Sequence, residues 1–262
     1  MEGSTKGILY PARLPIFNRF PVPTPVADLV QWFWIPEWDI EPGRTSRQHL
    51  IAYPACNVVV EREGVILSGP TTRAAYRDLS GSGWAVGALL RPAALPLLGR
   101  DPASLRDSEI ELAAEDLHRA VAAAMDSHDV GGRHERAVGA FVQWLGSRGH
   151  VASEEALLAN RMVDLIATEP ELVLMEDVAS RLAVSPRTLQ RVAKKYVGLS
   201  PSALIRRRRL QDAAERARST PTADLAAIAV ELGYADHAHL TNDFRKYLGF
   251  TPSGYRRSAG QT

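Results

Sequence analysis

The sequence predicts an α+β chain: a small antiparallel β-barrel or sandwich with accompanying helices toward the N-terminus, then an all-α C-terminal part of two helix-turn-helix motifs joined by a linker helix. Three observations carry this expectation. Short aromatic and β-branched runs punctuated by Gly and Pro recur up to residue 90. Segments rich in Ala and Leu at helical spacing follow. One motif is then written twice between Val178 and Asn242. With 262 residues and 45% hydrophobic content the chain can bury a sizeable core, and its length suits two domains better than one.

In order along the chain, Pro11, Pro15, Pro21, Pro23 and Pro25 make the opening segment irregular or extended. Residues 29–35 form a strand leading into the turn-rich 41–44. Further strands are expected at 48–53, 57–61, 65–68, 73–79 and 84–90, with Gly64 and Gly81-Ser82-Gly83 supplying turns. Six short strands so closely spaced fit a barrel or sandwich. After Arg91-Pro92 the pattern turns helical: a short segment at 93–98, then 112–125, then 133–145 with Val138, Phe141, Val142 and Leu145 on one stripe. That stripe fits either core or a dimer interface. Residues 154–168 form a helix, N-capped by Ser153 and followed by Pro170. The expected division is 1–150, β-rich over 26–91 and helical over 92–147, followed by 151–262, with a linker at 146–151.

The repeated motif runs from Val178 to Arg191 and again from Ile228 to Asn242. In each copy a small residue (Ala179, Ala229) lets two helices approach, and a small residue (Ala183, Gly233) permits the sharp turn. An N-cap residue (Ser185, Asp236) then starts a new helix, with Pro186 at the first helical position of copy one. Leu189 and Leu240 pin the second helices to the first. A helical run from Leu204 to Arg218 joins the copies.

With Arg209-Leu210 and Ala213 in the joining helix and the ending Gly249-Phe250-Thr251-Pro252-Ser253-Gly254-Tyr255-Arg256, this last third of the chain resembles the DNA-binding domain of the AraC/XylS family of bacterial transcription regulators. Two positions depart from the family pattern: Ala193 replaces a large aromatic, and Ala238 a frequent serine. The segment before it resembles, less specifically, an N-terminal domain found in some of these regulators. The resemblance implies a cytoplasmic, sequence-specific regulator whose partner is double-stranded promoter or operator DNA. Carried over residue by residue, the base-reading candidates are Arg187, Gln190 and Arg191 in the first reading helix, and His237, Ala238, Thr241 and Asn242 in the second. Lys194, Lys195, Arg245 and Lys246 follow those faces as phosphate candidates. Of Arg206, Arg207, Arg208 and Arg209, four consecutive residues pointing four ways around a helix, one or two are expected to reach phosphate, with Arg209 turned inward.

Charge supports the same division. From residue 170 onward there are 15 Lys and Arg against 9 Asp and Glu, a net of +6, whereas the first 169 residues carry a net of −5. A basic C-terminal part suits a phosphate-bearing partner. The single cysteine, Cys56, excludes an intramolecular disulfide and a multi-cysteine zinc site. His237 and His239, two apart, fall on different helix faces with no third ligand nearby, so neither metal nor cofactor is expected. Residues 1–15 lack a signal-peptide core, and no apolar run approaches the roughly 18 residues of a spanning helix, so no membrane partner is expected.

In the N-terminal half, Trp32, Trp34, Tyr53, Tyr76 and Trp84 fit either a pocket for an apolar or aromatic effector or a filled barrel core. The functional reading is a transcription regulator controlled by a small-molecule effector, with a homodimer through the N-terminal domain and, for an activator, RNA polymerase as further partners. The alternative makes the N-terminal domain a protein-interaction module without a small-molecule ligand. No catalytic constellation stands out, and the chain is not expected to be an enzyme.

Overall fold

The computed structural model describes residues 16–50, 54–129, 131–149, 151–220 and 222–259. In the N-terminal half they form strands β1 (Ile16–Phe20), β2 (Val30–Asp39), β3 (Thr45–Leu50), β4 (Asn57–Glu61), β5 (Gly64–Ser68), β6 (Ala75–Ser80), β7 (Ser82–Trp84), β8 (Val86–Leu90) and β9 (Glu109–Glu111). All pairings are antiparallel. One sheet runs β1-β2-β8-β4-β5-β9 with β7 also on β2, and β3 and β6 form a separate two-stranded ribbon. Every residue of β8 is buried, as a central strand covered on both faces requires.

Several boundaries move for identifiable reasons. The run expected at 84–90 splits into β7 and β8 at Ala85, whose N–H donates to Pro36 O (3.2 Å); Pro36, without an N–H, cannot return a ladder bond. The helix expected from residue 112 starts at Glu115, because the Leu112 N–H donates to Val65 O (2.8 Å) and prolongs the β5–β9 edge. The segment 93–98 is two single 3₁₀ turns, each opened by a proline. Strands β1 and β9 had no strand signal of their own.

Helices α1 (Glu115–Met125) and α2 (Arg133–Gly146) cover one face of the sheet. Phe33 and Ile35 of β2, Val58 and Val60 of β4 and Leu67 of β5 meet Leu117 and Val121 of α1 and Phe141 and Leu145 of α2 in one core. The Phe33 and Phe141 rings lie 5.7 Å apart. The Val138/Phe141/Val142/Leu145 stripe is therefore spent on the sheet rather than on a dimer.

The C-terminal half is α3 (Glu154–Thr168), α4 (Met175–Arg181), α5 (Pro186–Tyr196), α6 (Pro201–Ser219), α7 (Leu225–Glu231), α8 (His237–Leu248) and α9 (Pro252–Ala259). Helix α6 starts earlier than expected, with the Ser200 hydroxyl accepting from the Ala203 N–H and Pro201 at its first position. It serves two cores at once: Leu204 and Ile205 pack with Val178 and Leu189, while Leu210, Ala213 and Ala217 pack with Ile228, Leu240 and Phe244. The two halves of the chain meet along α3. Asn160 is buried there, its Oδ1 accepting from the Ala93 N–H (3.1 Å) and its Nδ2 donating to Asp28 O (2.9 Å), and Arg91 pairs with Asp164 beside it.

The two helix-turn-helix turns are built alike. The Val184 N–H returns to Ala179 O (3.0 Å) and the Tyr234 N–H to Ala229 O (2.9 Å), each over a left-handed residue. In the second copy that residue is Gly233 (φ 74°), but in the first it is Ala183 (φ 54°), whose Cβ is disfavoured there. Ala183→Gly is expected to raise stability by about 0.5–1 kcal/mol, and Gly233→Ala to lower it by a similar amount. Paired denaturant unfolding curves check both, and an Ala183→Gly protein no more stable than the parent would contradict the strain.

Candidate nucleic-acid interface

Helix α5 is opened by Ser185, whose Oγ accepts from the Thr188 N–H at 3.1 Å. Leu189, Val192, Ala193 and Tyr196 fall on its buried side, so Arg187, Gln190, Arg191, Lys194 and Lys195 form the opposite, exposed face. Among the described residues Arg187 and Lys194 have no internal partner. Gln190 leans on Met175, Nε2 to Sδ 3.4 Å. Arg191 and Lys195 converge instead on one carboxylate: Glu155 of α3 pairs with Arg191, accepts from Lys195 Nζ (2.6 Å) and takes the Tyr196 hydroxyl (3.0 Å). The Lys195 and Arg191 hydrogen bonds hold the Glu155 carboxyl down at about 2. The pairing is thus complete above the ordinary carboxylate value of 4.5 and is lost as pH falls through about 2.

Helix α8 repeats the plan with a weaker face. Asp236 caps it, Oδ1 accepting from the His239 N–H at 2.7 Å. His237, Ala238, Asn242, Arg245 and Lys246 are exposed. Thr241 departs from its expected role: its Oγ1 is buried and makes no hydrogen bond. His239 is half-buried, edge-on to the Tyr234 ring at 5.2 Å. Among the described residues no three His, Cys, Asp or Glu side chains are placed to hold a metal ion.

The arginine run of α6 serves the protein interior. Arg206 grips Asp243, Nε to Oδ2 2.7 Å, and the Asp243 side chain is 1% exposed against 41% for Arg206. Arg207 lies over the Tyr247 ring (4.4 Å) and donates to Thr71 O (3.4 Å); burial pulls its guanidinium down to about 10, which leaves it charged at neutral pH. Arg208 donates to Glu169 O (2.5 Å) and Leu172 O (3.4 Å) just beyond α3, and Arg209 lies over the Tyr234 ring at 4.4 Å. Sequence reasoning expected one or two of the four to reach phosphate, and the structure engages all four internally.

The N-terminal half touches both reading helices at their C-terminal ends. Arg106 donates to Gly198 O (2.6 Å) just beyond α5, where a Cβ would stand 2.6 Å from the Pro102 carbonyl carbon. The Ala74 N–H donates to Lys246 O (3.1 Å) in the last turn of α8. The N-terminal ends of both helices stay exposed.

The five aromatics assigned to an effector pocket are not brought together. Trp32 and Trp34 alternate with the core residues Phe33 and Ile35 and so face away from them. Arg19 lies over Trp32 at 4.8 Å, and Phe17 stacks on Trp34 at 6.3 Å. Tyr76 is 59% exposed on the ribbon, under Arg47 at 4.2 Å. Tyr53 lies outside the described residues. Trp84 is buried and borders a cavity of about 790 Å³. Cys56 is buried, and burial pushes its thiol up to about 12, the opposite of what a nucleophile needs. The residue that sequence reasoning missed is Glu155, which lies in the helix expected at 154–168, 36 residues before Arg191.

Residues 178–258 match the family described as a helix-turn-helix domain, and residues 18–111 match a domain of unknown function, DUF6597. The chain is 29% identical over 112 residues to the HTH-type transcriptional activator AarP of Providencia stuartii, covering 43% of this chain and 82% of AarP. It is 36% identical over 87 residues to the activator RhaS of Escherichia fergusonii, covering 33% of this chain and 31% of RhaS. For most of the curated relatives it matches, the chain spans less than a third of their length. Among solved structures, ToxT of Vibrio cholerae is similar at a TM-score of 0.46 and 10% identity over 88% of this chain and 99% of ToxT. The last third of the chain is a helix-turn-helix domain of the AraC type.

Three substitutions separate reading from folding. Glu155→Gln releases Arg191 and Lys195, so nonspecific DNA affinity is expected to rise and the slope of log K against log salt to steepen by about 1–2. An unchanged slope would mean that neither cation reaches DNA. Arg206→Ala strands the buried Asp243 carboxylate and is expected to cost about 3–5 kcal/mol of stability, more than Asp243→Ala, which leaves a cation that water can reach. Thermal melts of the two variants check the order.

Proposed function

We propose that this protein is a sequence-specific transcription regulator in which residues 151–262 read double-stranded DNA and residues 1–150 control them in response to a small molecule. The observation that carries this reading is the arrangement of α5 and α8. Each is N-capped, exposed at its N-terminal face, and hydrogen-bonded by the N-terminal half at its C-terminal end. Helix α6, 19 residues and so about 28 Å long, spaces them for successive major grooves about 34 Å apart. The names of AarP and RhaS favour activation, with RNA polymerase as the partner that follows from it. The cavity beside Trp84 favours a small-molecule ligand over a purely protein-binding N-terminal half.

The two reading faces are unequal. Arg187 can pair bidentately with guanine, and Gln190 with adenine, whereas the second face offers Ala238, a buried Thr241 hydroxyl, His237 and Asn242. Selection from random duplexes is expected to yield a bipartite site with a well-defined half under α5 and a tolerant half under α8. Arg187→Ala is expected to cost about 1–3 kcal/mol at one base pair and to relax preference there. Two equally constrained half-sites, or an Arg187→Ala protein weakened equally on all sequences, would contradict the assignment.

A further inference from the structure

The two reading units are mounted on one helix. The first, α3 to α5, packs on α6 through Leu204 and Ile205, and the second, α7 to α9, through Leu210, Ala213 and Ala217. Among the described residues their two cores share only α6. A groove of about 290 Å³ runs between the units, with Leu174 and Met175 on one side and Tyr234 and His239 on the other. Bodies mounted on a single axis keep a twist about that axis as a soft motion. A second attachment away from the axis removes it.

The N-terminal half supplies such an attachment through two loops, 101–108 and 69–74. The first loop holds the end of α5, where Arg106 donates to Gly198 O and the Pro102 carbonyl lies against Gly198. The second holds the end of α8: the Ala74 N–H donates to Lys246 O, one of the carbonyls that a last helical turn leaves without an intrahelical partner. Asp107 joins loop to loop. Its Oδ1 accepts from the Thr72 N–H (2.6 Å), its Oδ2 from the Thr72 hydroxyl (2.5 Å), and its own N–H donates to Pro70 O (3.0 Å). It does so with a left-handed backbone (φ 56°), which Asp tolerates better than most residues. Burial raises the Asp107 carboxyl, but the Thr72 hydroxyl and N–H and the charges of Arg73 and Arg106 outweigh it and hold the group below its ordinary value. The link is therefore ionised at neutral pH.

We propose that Asp107 is a positioning residue for DNA recognition: it ties the ends of the two reading helices together and so fixes the half-site spacing that the chain accepts. One base pair more or less between half-sites moves the second groove by about 3.4 Å and turns it by about 35°. Both anchors lie at the ends of reading helices rather than on α6, so the tie resists a twist about that helix. With the tie intact the two helices fit one spacing. Without it α6 alone holds them, and a neighbouring spacing costs less. This inference deepens the DNA-reading function proposed above and rests on it.

The test uses the whole chain and a duplex that it selects from a random pool, remade with one base pair inserted or deleted between the half-sites. That change is expected to cost the parent about tenfold or more in affinity. Asp107→Gly removes the carboxylate and keeps the left-handed backbone, and Arg106→Ala frees the end of α5 from an exposed position. Each is expected to lower the spacing penalty to about threefold, and Asp107→Asn, which keeps an acceptor for the Thr72 N–H, to restore most of it. The readout is the ratio of affinities for two duplexes on one preparation, so a smaller folded fraction cancels from it. A penalty as large as the parent's in either Asp107→Gly or Arg106→Ala overturns the inference, as does a parent indifferent to spacing. A parent that selects no duplex overturns the regulator reading itself, whereas one that selects a bipartite site with a penalty untouched by the substitutions loses only this role of Asp107.

Discussion

Four consecutive arginines on α6 tie the molecule together. At about 100° per residue they point in four directions, and each finds a different neighbour. Arg206 neutralises the buried Asp243 of α8, and Arg209 covers Tyr234 at the start of the second motif. Arg208 takes up backbone carbonyls beyond the end of α3, and Arg207 bridges Tyr247 to Thr71 in the N-terminal half. One turn of helix therefore touches both reading units and the sheet-bearing half. The guanidinium group suits this work because it keeps its charge when buried and donates along several directions at once.

The reading surface is set as much by what neutralises cations as by where they lie. The +6 charge of the C-terminal part counts every Lys and Arg alike, but Glu155 holds two of those on α5 and Asp243 a third on α6. On α5 and α8 the described cations without an ion pair, Arg187 and Lys194 on one and Arg245 and Lys246 on the other, are a smaller and more selective set. Glu155 holds Arg191 and Lys195 together on one carboxylate.

The N-terminal half holds the reading helices without covering them. Its hydrogen bonds to them fall on Gly198 and Lys246, past the turns that would enter a groove, so the free protein is not sterically closed to DNA through these bonds. Gly198 is left-handed (φ 76°) and backed by the Pro102 carbonyl, two reasons why only glycine fits there. The ribbon that lines the cavity continues into the residues that meet the last turn of α8.

Much of this was legible in the sequence because the signals are local. The doubled motif, the caps Ser185, Asp236 and Ser153, and the exposed face of α5 depend on residues three or four positions apart, and periodicity and capping chemistry determine them wherever the segment sits. The alternating strands and the burial of the Phe141 stripe follow from the same local patterns, although sequence could not say what that stripe would meet. Tertiary structure decided the rest. Whether Arg191 is free depends on a carboxylate 36 residues earlier in the chain, and whether Arg207 reaches DNA depends on a loop 136 residues away. Trp32 and Trp34 were separated from Trp84 by strand alternation and by which face α1 and α2 came to cover. Charge and aromatic character are properties of residues, but pairing and enclosure belong to the packed chain, and only its three-dimensional arrangement determines which partner each residue meets.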